Sequence, residues 1–487
     1  MRSIASTLFL CLVSLLPISG EPYAFAEDRA SVIETRDPQS TIDLTNRITE
    51  EIKALRLSGS LPAIIMKWPK ADRENFLNFY TARNDTPLWF GGAILDERRE
   101  SLQRRLLSAD EDGMNASDYP LPLISATETD PRKIAEADLI LSASAVAFAR
   151  DARVARIDML KLSKLITPRL IIPRPTMVLT DLMGTQNVGD RLQTYQPRHK
   201  AYLDLKAKLM ELRETTGSLS ESAPIAKAPP QKARTTTAMV SMMAPSAFDI
   251  VVNMERWRWV PPELGENYIF VNLPEFTLKL IRKGEVAHVT RTVVGKPDTP
   301  TPLFSAAINS LIVNPSWHVP QSIIRNEFLP KLAEDPAFAE KSGYEITQDG
   351  DMTYIRQPPG ERNALGFVKF NLPNEHAVYL HDTPMRKLFA NTDRAYSHGC
   401  VRVENPFSLA AMVLNNPKYA EDALKSFIGR DERVIKLEEP LPVHLAYFTV
   451  ITGEDGQLKR LGDIYGYDNL VLTALKLDQN RSFAALK

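Results

Sequence analysis

The chain has 487 residues, of which 59 are Lys or Arg and 60 are Asp or Glu, so its formal net charge is −1. This balance gives no reason to expect binding to nucleic acid or to an anionic membrane surface. A hydrophobic share of 44% is ample for packed cores, and the length predicts two or three domains.

Residues 1–26 have the pattern of an export signal. Arg2 supplies a positive charge, Ile4 to Leu16 is mostly apolar, and Ala24-Phe25-Ala26 fits the small-residue cleavage pattern. The apolar run is short for a bilayer span, and no later stretch is long and apolar enough to be one. We predict a cleaved signal peptide, with an uncleaved N-terminal anchor as the alternative.

Residues 27–213 are predicted to form a mainly helical domain. Apolar side chains recur at helical spacing, as Phe76, Phe79 and Tyr80 do within Ala71 to Arg83. We interpret the aromatic residues here as core packing. Further helices are predicted over Ser40 to Leu57, Arg98 to Leu107, Ala135 to Val154 and around Tyr202 to Leu212.

Residues 214–247 break this pattern. They are rich in Ser, Thr, Ala and Pro, with Pro229-Pro230 near the centre. Such a composition cannot bury enough apolar surface to offset the entropy of ordering, so we predict a linker.

Residues 248–487 are predicted to be β-rich, which makes the whole chain α+β. Short alternating runs separated by turns indicate an antiparallel sheet or sandwich. Residues 320–359 are long and polar for a strand connection, so we expect an inserted flap. Residues 430–487 are expected to pack back as a C-terminal extension. The predicted strands are Tyr268 to Leu273, Phe276 to Leu280, Val286 to Val294, Ala307 to Val313, Val368 to Phe370 and Ala377 to Leu380.

The candidate chemistry centres on Ser397-His398-Gly399-Cys400. The only other cysteine, Cys11, lies in the predicted signal, so the mature chain would hold one thiol. His381 ends a predicted strand fifteen residues before Ser397, a spacing that allows a return loop to bring imidazole and thiol together. We predict Cys400 as a thiolate nucleophile and His381 as its base, oriented by a main-chain carbonyl near Asp382. Main-chain N–H groups near His398, Gly399 and Cys400 would bind an oxyanion.

Other interpretations of these residues remain open. A lone cysteine is often an inert, buried apolar group. A zinc site from His376, His381, His398 and Cys400 has suitable ligand types but lacks a paired short spacing. We therefore predict neither a metal nor a cofactor. Ser397 is a weaker candidate nucleophile than the thiol three residues away.

His381 together with Ser397-His398-Gly399-Cys400 resembles the motif of the L,D-transpeptidases, a family of peptidoglycan enzymes with a cysteine nucleophile and a β-rich catalytic domain. Residues from about 250 to 470 are similar to the larger periplasmic branch of Gram-negative bacteria, and the helical region is similar, less specifically, to the scaffold of that branch. The segments that carry the likeness are Asn253 to Trp259, Val294 to Lys296, Asn314 to Trp317, Pro359 to Gly366, Tyr379 to Pro384 and Asp463 to Gly466.

The resemblance implies acyl transfer on peptidoglycan stem peptides in the periplasm, forming 3→3 crosslinks for cell-wall biogenesis and cell shape, with carbapenems as inhibitors. It implies that Ser397, Tyr379, Trp317 and Asn363 line the substrate site. Arg402 stands where many members have Asn, and its guanidinium is a candidate for binding a stem-peptide carboxylate or for a structural salt bridge. The small peptidoglycan-binding module common in that branch is not evident.

Three alternatives stay open at this point. Water as the acceptor would make an L,D-carboxypeptidase, and a protein amine would anchor envelope proteins to the wall. A noncatalytic wall-binding scaffold that keeps the fold is the third alternative. A cysteine peptidase acting on ordinary proteins is a further class, although the sequence shows no Asn or Asp orienting signature for one.

Overall fold

The structure is a computed structural model that describes residues 38–125, 127–216 and 244–477. The predicted signal peptide and residues 217–243 of the predicted linker lie outside the described residues. Within the described ranges, no helix combines the length and apolar character that crossing a bilayer requires.

The N-terminal half is helical, as its apolar periodicity predicted. Phe76, Phe79 and Tyr80 are buried on one face of their helix. The longest helix begins where Asp130 accepts a hydrogen bond from the Arg132 N–H and Pro131 occupies the first turn. The helices are α1 (Pro38–Ser58), α2 (Ala63–Met66), α3 (Lys70–Ala82), α4 (Ala93–Leu107), α5 (Pro131–Arg153), α6 (Met159–Leu162), α7 (Pro175–Met183), α8 (Val188–Gln193) and α9 (Lys200–Thr216).

Helix α10 (Ala247–Trp257) joins the two halves of the molecule. It begins at a capping box in which Ser246 and Asp249 each bond the other's main-chain N–H. One face packs with α9 and with residues that follow the last long strand. Glu255 on α10 forms buried ion pairs with Arg156 at 2.8 Å and Arg258 at 3.3 Å. The helical half is therefore tied to the β-rich half by buried apolar and ionic contacts.

The C-terminal half is β-rich, which confirms the α+β class. Nine of the described strands form one sheet in the order β10-β3-β11-β9-β8-β4-β12-β1-β2, and an additional β2–β3 pairing closes it. The strands are β1 (Tyr268–Asn272), β2 (Thr277–Arg282), β3 (Glu285–Gly295), β4 (Phe304–Val313), β5 (Trp317–His318), β6 (Glu345–Asp349), β7 (Met352–Gln357), β8 (Val368–Asn371), β9 (Leu380–His381), β10 (Ala395–Ser397), β11 (Val401–Val403), β12 (Arg433–Ala446), β13 (Val450–Thr452) and β14 (Leu458–Arg460).

The strand pairing is mixed, whereas the turn pattern predicted an antiparallel arrangement. Strands β1 and β12, β3 and β10, and β9 and β11 pair in parallel. Parallel neighbours need a long connection, and the segment between β9 and β11 supplies one that includes a 3₁₀ turn at Arg386–Ala390. Alternation of apolar residues along a strand does not distinguish the two directions.

Strand β9 is shorter than the predicted run from Ala377. The side-chain amide of Asn374 donates to the carbonyls of Leu372 and Val378, and its oxygen accepts from the His376 N–H. Ala377 itself has φ +52°, which is incompatible with an extended strand. This turn delays the strand to Leu380.

Residues 320–359 have a small core of their own, formed by Val319, Ile324, Phe328 and Ile355. They contain a π-helical turn at Ile324–Phe328. Their strands β6 and β7 form a separate sheet with β5, which directly precedes the segment, in the order β5-β7-β6. The short helices here are α11 (Gln321–Ile323), α12 (Leu329–Glu334) and α13 (Phe338–Lys341), and those that follow are α14 (Pro406–Leu414), α15 (Glu421–Lys425) and α16 (Tyr467–Ala474).

Candidate active site

Cys400 and His381 come together because β9 and β11 are adjacent. Val401 pairs with Leu380 and Arg402 with His381, and the Val401 N–H donates to the Tyr379 carbonyl at 3.1 Å. Leu380 and Val401 point into the buried core. Side chains alternate along a strand, so the flanking residues of both strands project to the opposite face.

The same face continues onto the neighbouring strand β8. Val368 and Phe370 are buried in the core, which turns Lys369 to the other side, and Lys369 pairs directly with His381. Five chemically distinct side chains therefore share one face of three adjacent strands: Lys369, Tyr379, His381, Cys400 and Arg402.

The His381 imidazole is only 4% exposed. Its Nδ1 lies 2.5 Å from the Asp382 carbonyl oxygen, which confirms the predicted main-chain acceptor. A hydrogen bond donated from Nδ1 leaves Nε2 as the proton acceptor. The Asp382 carboxylate in turn accepts from the Phe367 N–H at 2.9 Å and from Arg386 at 3.2 Å, which fixes the residue that carries the orienting carbonyl.

Burial is the main influence on the acid–base properties of this pair. Burial lowers the pKa of His381 to about 3, and the nearby cations Arg402 and Lys369 act in the same direction. Burial also raises the pKa of the Cys400 thiol, although contacts with Tyr379, Lys369 and Arg402 oppose the change. The sequence suggested an imidazole that lowers the thiol pKa. The structure instead indicates a resting pair of neutral thiol and neutral imidazole.

The turn before Cys400 is held by its own hydrogen bonds. Gly399 has φ +112°, a conformation that favours glycine. Ser397 Oγ donates to the Cys400 carbonyl at 2.5 Å and accepts from the Gly399 N–H at 3.1 Å. The Ser397 carbonyl accepts from the Lys296 N–H at 3.0 Å. Ser397 thus shapes the turn, and its hydroxyl is already engaged within the protein.

These bonds also decide which oxyanion donors are available. The Gly399 N–H is already donated to Ser397, so this glycine contributes conformation and not a donor. Within the described residues, the main-chain N–H groups of His398 and Cys400 donate no hydrogen bond. They are therefore candidate donors for an oxyanion at this turn.

The His398 side chain contacts the segment 320–359. Its Nε2 lies 2.7 Å from Glu327 Oε1 in the π-helical turn of residues 320–359. His376 bonds Thr167 at 2.7 Å on the helical half. The four ligands considered for zinc therefore have different partners, and no group of three or more His, Cys, Asp or Glu side chains in the described part of the chain is placed to hold a metal.

The remaining predicted site residues differ in whether their polar groups are free to bind a ligand. Arg402 donates only to Met385 Sδ at 3.7 Å, its buried Nε has no partner, and it forms no ion pair within the described residues. Burial raises the pKa of Tyr379, and the Trp317 indole and Cys400 interact with its phenol. Asn363 is buried and bonds the carbonyls of Pro315, Gln357 and Pro358 and the Leu365 N–H. Its amide therefore supports the loop beside the site and has no free group for a ligand.

Sequence reasoning missed two residues at this site. Lys369 lies between two core residues on a short strand, and a lysine in that position is ordinarily expected to face solvent. The sequence does not show that Lys369 pairs with His381. Glu327 lies 71 residues before its partner His398. Neither pairing has a local sequence signal.

Two family models match parts of this chain. Residues 266–428 match the family model of the L,D-transpeptidase catalytic domain (YkuD), and residues 74–209 match a model described as a scaffold domain. Residues 266–428 of the chain are therefore similar to the L,D-transpeptidase catalytic domain.

One curated relative is a Haemophilus influenzae protein whose name assigns it provisionally as an L,D-transpeptidase. It is 33% identical over 240 residues, which cover 46% of this chain and 48% of the relative. The chain thus spans about half the length of the relative it matches.

Two solved structures are also similar. The catalytic domain of an E. faecium L,D-transpeptidase acylated by ertapenem has 17% identity and a TM-score of 0.19, covering 38% of this chain and 98% of that one. Mycobacterium tuberculosis L,D-transpeptidase 1 has 14% identity and a TM-score of 0.19, covering 37% and 61%. Both TM-scores are low, so neither likeness carries an argument here.

Proposed function

We propose that this protein forms 3→3 peptidoglycan crosslinks through an acyl-enzyme on Cys400. The observation that carries the proposal is the shared face of β9 and β11, on which half-buried Cys400 and the buried, main-chain-oriented imidazole of His381 both lie. This arrangement lies within the matched catalytic domain.

In the first half-reaction, the Cys400 sulfur attacks the carbonyl carbon of the third stem residue while His381 Nε2 takes the thiol proton. The N–H groups of His398 and Cys400 stabilise the resulting oxyanion. As the intermediate collapses, the C–N bond to the terminal D-Ala breaks, and His381 returns its proton to the leaving amine. The product is a thioester and free D-Ala.

In the second half-reaction, a side-chain amine of another stem attacks the thioester carbonyl. His381 accepts a proton from that amine, the C–S bond breaks, and His381 gives the proton to the departing sulfur, which restores the Cys400 thiol. Water in place of the amine gives the L,D-carboxypeptidase reaction, and a protein amine gives anchoring of an envelope protein. The acceptor therefore decides among three outcomes of one acyl-enzyme.

Arg402 is the candidate anion-binding group of the donor site. A largely buried guanidinium without a carboxylate partner is costly, and a carboxylate of the stem peptide would offset that cost. We expect Arg402→Met to raise KM for the tetrapeptide at least tenfold with a smaller change in kcat. Arg402→Lys should recover part of the affinity because it keeps the charge but loses the planar fork.

We assign the protein's place of action to the periplasm, where its proposed substrate is found, on the strength of the predicted signal peptide and the catalytic-domain match. Carbapenems should acylate Cys400 because they present a strained carbonyl to the same nucleophile.

The test uses purified disaccharide-tetrapeptide with the protein, followed by mass spectrometry. The expected products are a 3→3 crosslinked dimer and D-Ala, and Cys400→Ala should abolish both. Crosslinked product retained by Cys400→Ala contradicts the assignment. Binding to sacculi without product or carbapenem adduct would support a noncatalytic scaffold, and cleavage of L-peptides would support a cysteine peptidase.

A further inference from the structure

Lys369 lies in the active site but has no part in the acyl transfer described above. It extends from the middle of β8, on the face opposite the core residues Val368 and Phe370. Its register places it directly beside His381. A largely buried cation is costly without a partner, and no Asp or Glu in the described residues forms an ion pair with Lys369.

The partner of Lys369 is the aromatic ring of Tyr379. The Lys369 Nζ lies 4.1 Å from the ring centroid, well within the range of a cation–π interaction. Burial lowers the pKa of Lys369, while the Cys400 thiol and the Glu432 carboxylate act in the opposite direction. The other titratable groups of this face are His381, Arg402 and Cys400, of which only Cys400 becomes negative, when its thiol ionises.

Tyr379 connects this cation to the nucleophile. Its main-chain carbonyl accepts from the Val401 N–H, so Tyr379 is held beside Cys400. The Cys400 and Trp317 side chains both influence the pKa of its phenol, and its ring lies 5.7 Å from the His381 ring. The orientation of one ring therefore sets the surroundings of the sulfur.

We infer that Lys369 is a positioning residue for the nucleophile: its ammonium holds the Tyr379 ring against Cys400, so that the phenol stabilises the thiolate. The inference rests on the proposed function for the role of Cys400. The reactivity of the thiol is measurable without any peptidoglycan substrate, so the role of Lys369 and the proposed function are tested by different experiments.

The test measures alkylation of Cys400 by iodoacetamide as a function of pH in the full chain, read at the Cys400 peptide by mass spectrometry. In this reaction the thiolate sulfur forms a bond to carbon, iodide leaves, and the thiol proton passes to solvent. We expect Lys369→Met to move the midpoint of the profile up by about one pH unit and to slow alkylation at pH 7 about tenfold. Lys369→Arg should restore most of the rate because it keeps the cation.

Lys436→Met is the matched control, since Lys436 is an exposed strand lysine of the same half of the molecule. Its profile should superimpose on that of the unmodified protein. Circular dichroism establishes that each variant is folded, and Lys369→Gln replaces Lys369→Met if the latter is not.

The route through Tyr379 is tested by a double-mutant cycle with Tyr379→Phe. If Lys369 acts through the ring, Lys369→Met should change the rate less than threefold in the Tyr379→Phe background. A tenfold effect that persists in that background overturns the inference, as does a Lys369→Met profile identical to that of Lys436→Met. A normal alkylation profile without crosslinked product would instead count against the proposed function alone.

Discussion

Arg402 lies directly opposite His381 on the neighbouring strand, so the imidazole has a guanidinium on one side and the Lys369 ammonium on the other. Burial, reinforced by these two cations, lowers the pKa of His381 to about 3. The imidazole is therefore neutral over the whole physiological pH range, which is the state a proton acceptor requires.

This depressed pKa predicts a stability cost in acid. The unfolded chain binds a proton at His381 below about pH 6.5, whereas the folded chain does so only near pH 3. Between these values the unfolded state holds more protons, so stability falls as pH falls. Between pH 6.5 and 5, we expect His381 to lower the free energy of unfolding by on the order of 2 kcal/mol, because each pH unit costs about 1.4 kcal/mol.

The measurement is urea unfolding at a series of pH values, compared with His381→Asn. Asparagine keeps a donor for the Asp382 carbonyl but does not titrate. The difference in unfolding free energy between the two proteins should therefore change with pH over this window. A constant difference would show that His381 titrates normally in the folded protein.

The buried ions beside α10 predict a large effect of a single substitution. Glu255→Gln removes the charge that Arg156 and Arg258 share, and leaves two buried guanidinium groups without a carboxylate. We expect a loss of about 3–5 kcal/mol in the free energy of unfolding. Glu421→Gln is the control, because its pair with Lys425 is exposed and should contribute under about 1 kcal/mol. Equal losses in chemical denaturation would contradict this account.

Gly399 predicts an activity defect that exceeds its stability defect. A Cβ there would meet no atom closer than 3.6 Å, so the obstacle to Gly399→Ala is the φ of +112° and not a clash. Relaxing that strain moves the Cys400 N–H and sulfur, and we expect the rate of 3→3 product formation to fall at least tenfold.

Gly284→Ala provides the comparison for Gly399→Ala. Gly284 has φ +79° and open space around it, in the turn between β2 and β3, away from the site. Its variant should lose a similar free energy of unfolding, about 1–2 kcal/mol, with activity retained. Full activity in Gly399→Ala would exclude this conformational role.

The contact between Glu327 and His398 predicts that the segment 320–359 is held closed over the catalytic turn. Glu327→Gln weakens the 2.7 Å contact by removing the carboxylate charge. We expect faster amide hydrogen exchange in residues 320–359, measured by mass spectrometry. Glu334→Gln lies on the same segment, on α12, and should leave exchange unchanged. Equal exchange in both variants would show that this contact does not restrain the segment.

The sequence by itself indicated which segments form helices and strands, and it predicted Cys400 and His381 as the candidate catalytic pair. The period of Phe76, Phe79 and Tyr80 located α3, and the unusual placement of one thiol after His398-Gly399 indicated the candidate nucleophile. These signals are local, because side-chain periodicity and turn chemistry act over a few residues.

The tertiary structure decided the arrangement around the thiol. It placed Lys369 and Arg402 on either side of His381. The Ser397 hydroxyl and the Asn363 amide form hydrogen bonds within the protein. Glu327 contacts His398. The tertiary structure also made the resting thiol and imidazole neutral, since burial depends on the surrounding strands. These outcomes follow from strand register and desolvation, which join residues distant in the chain and leave no periodic trace in the sequence.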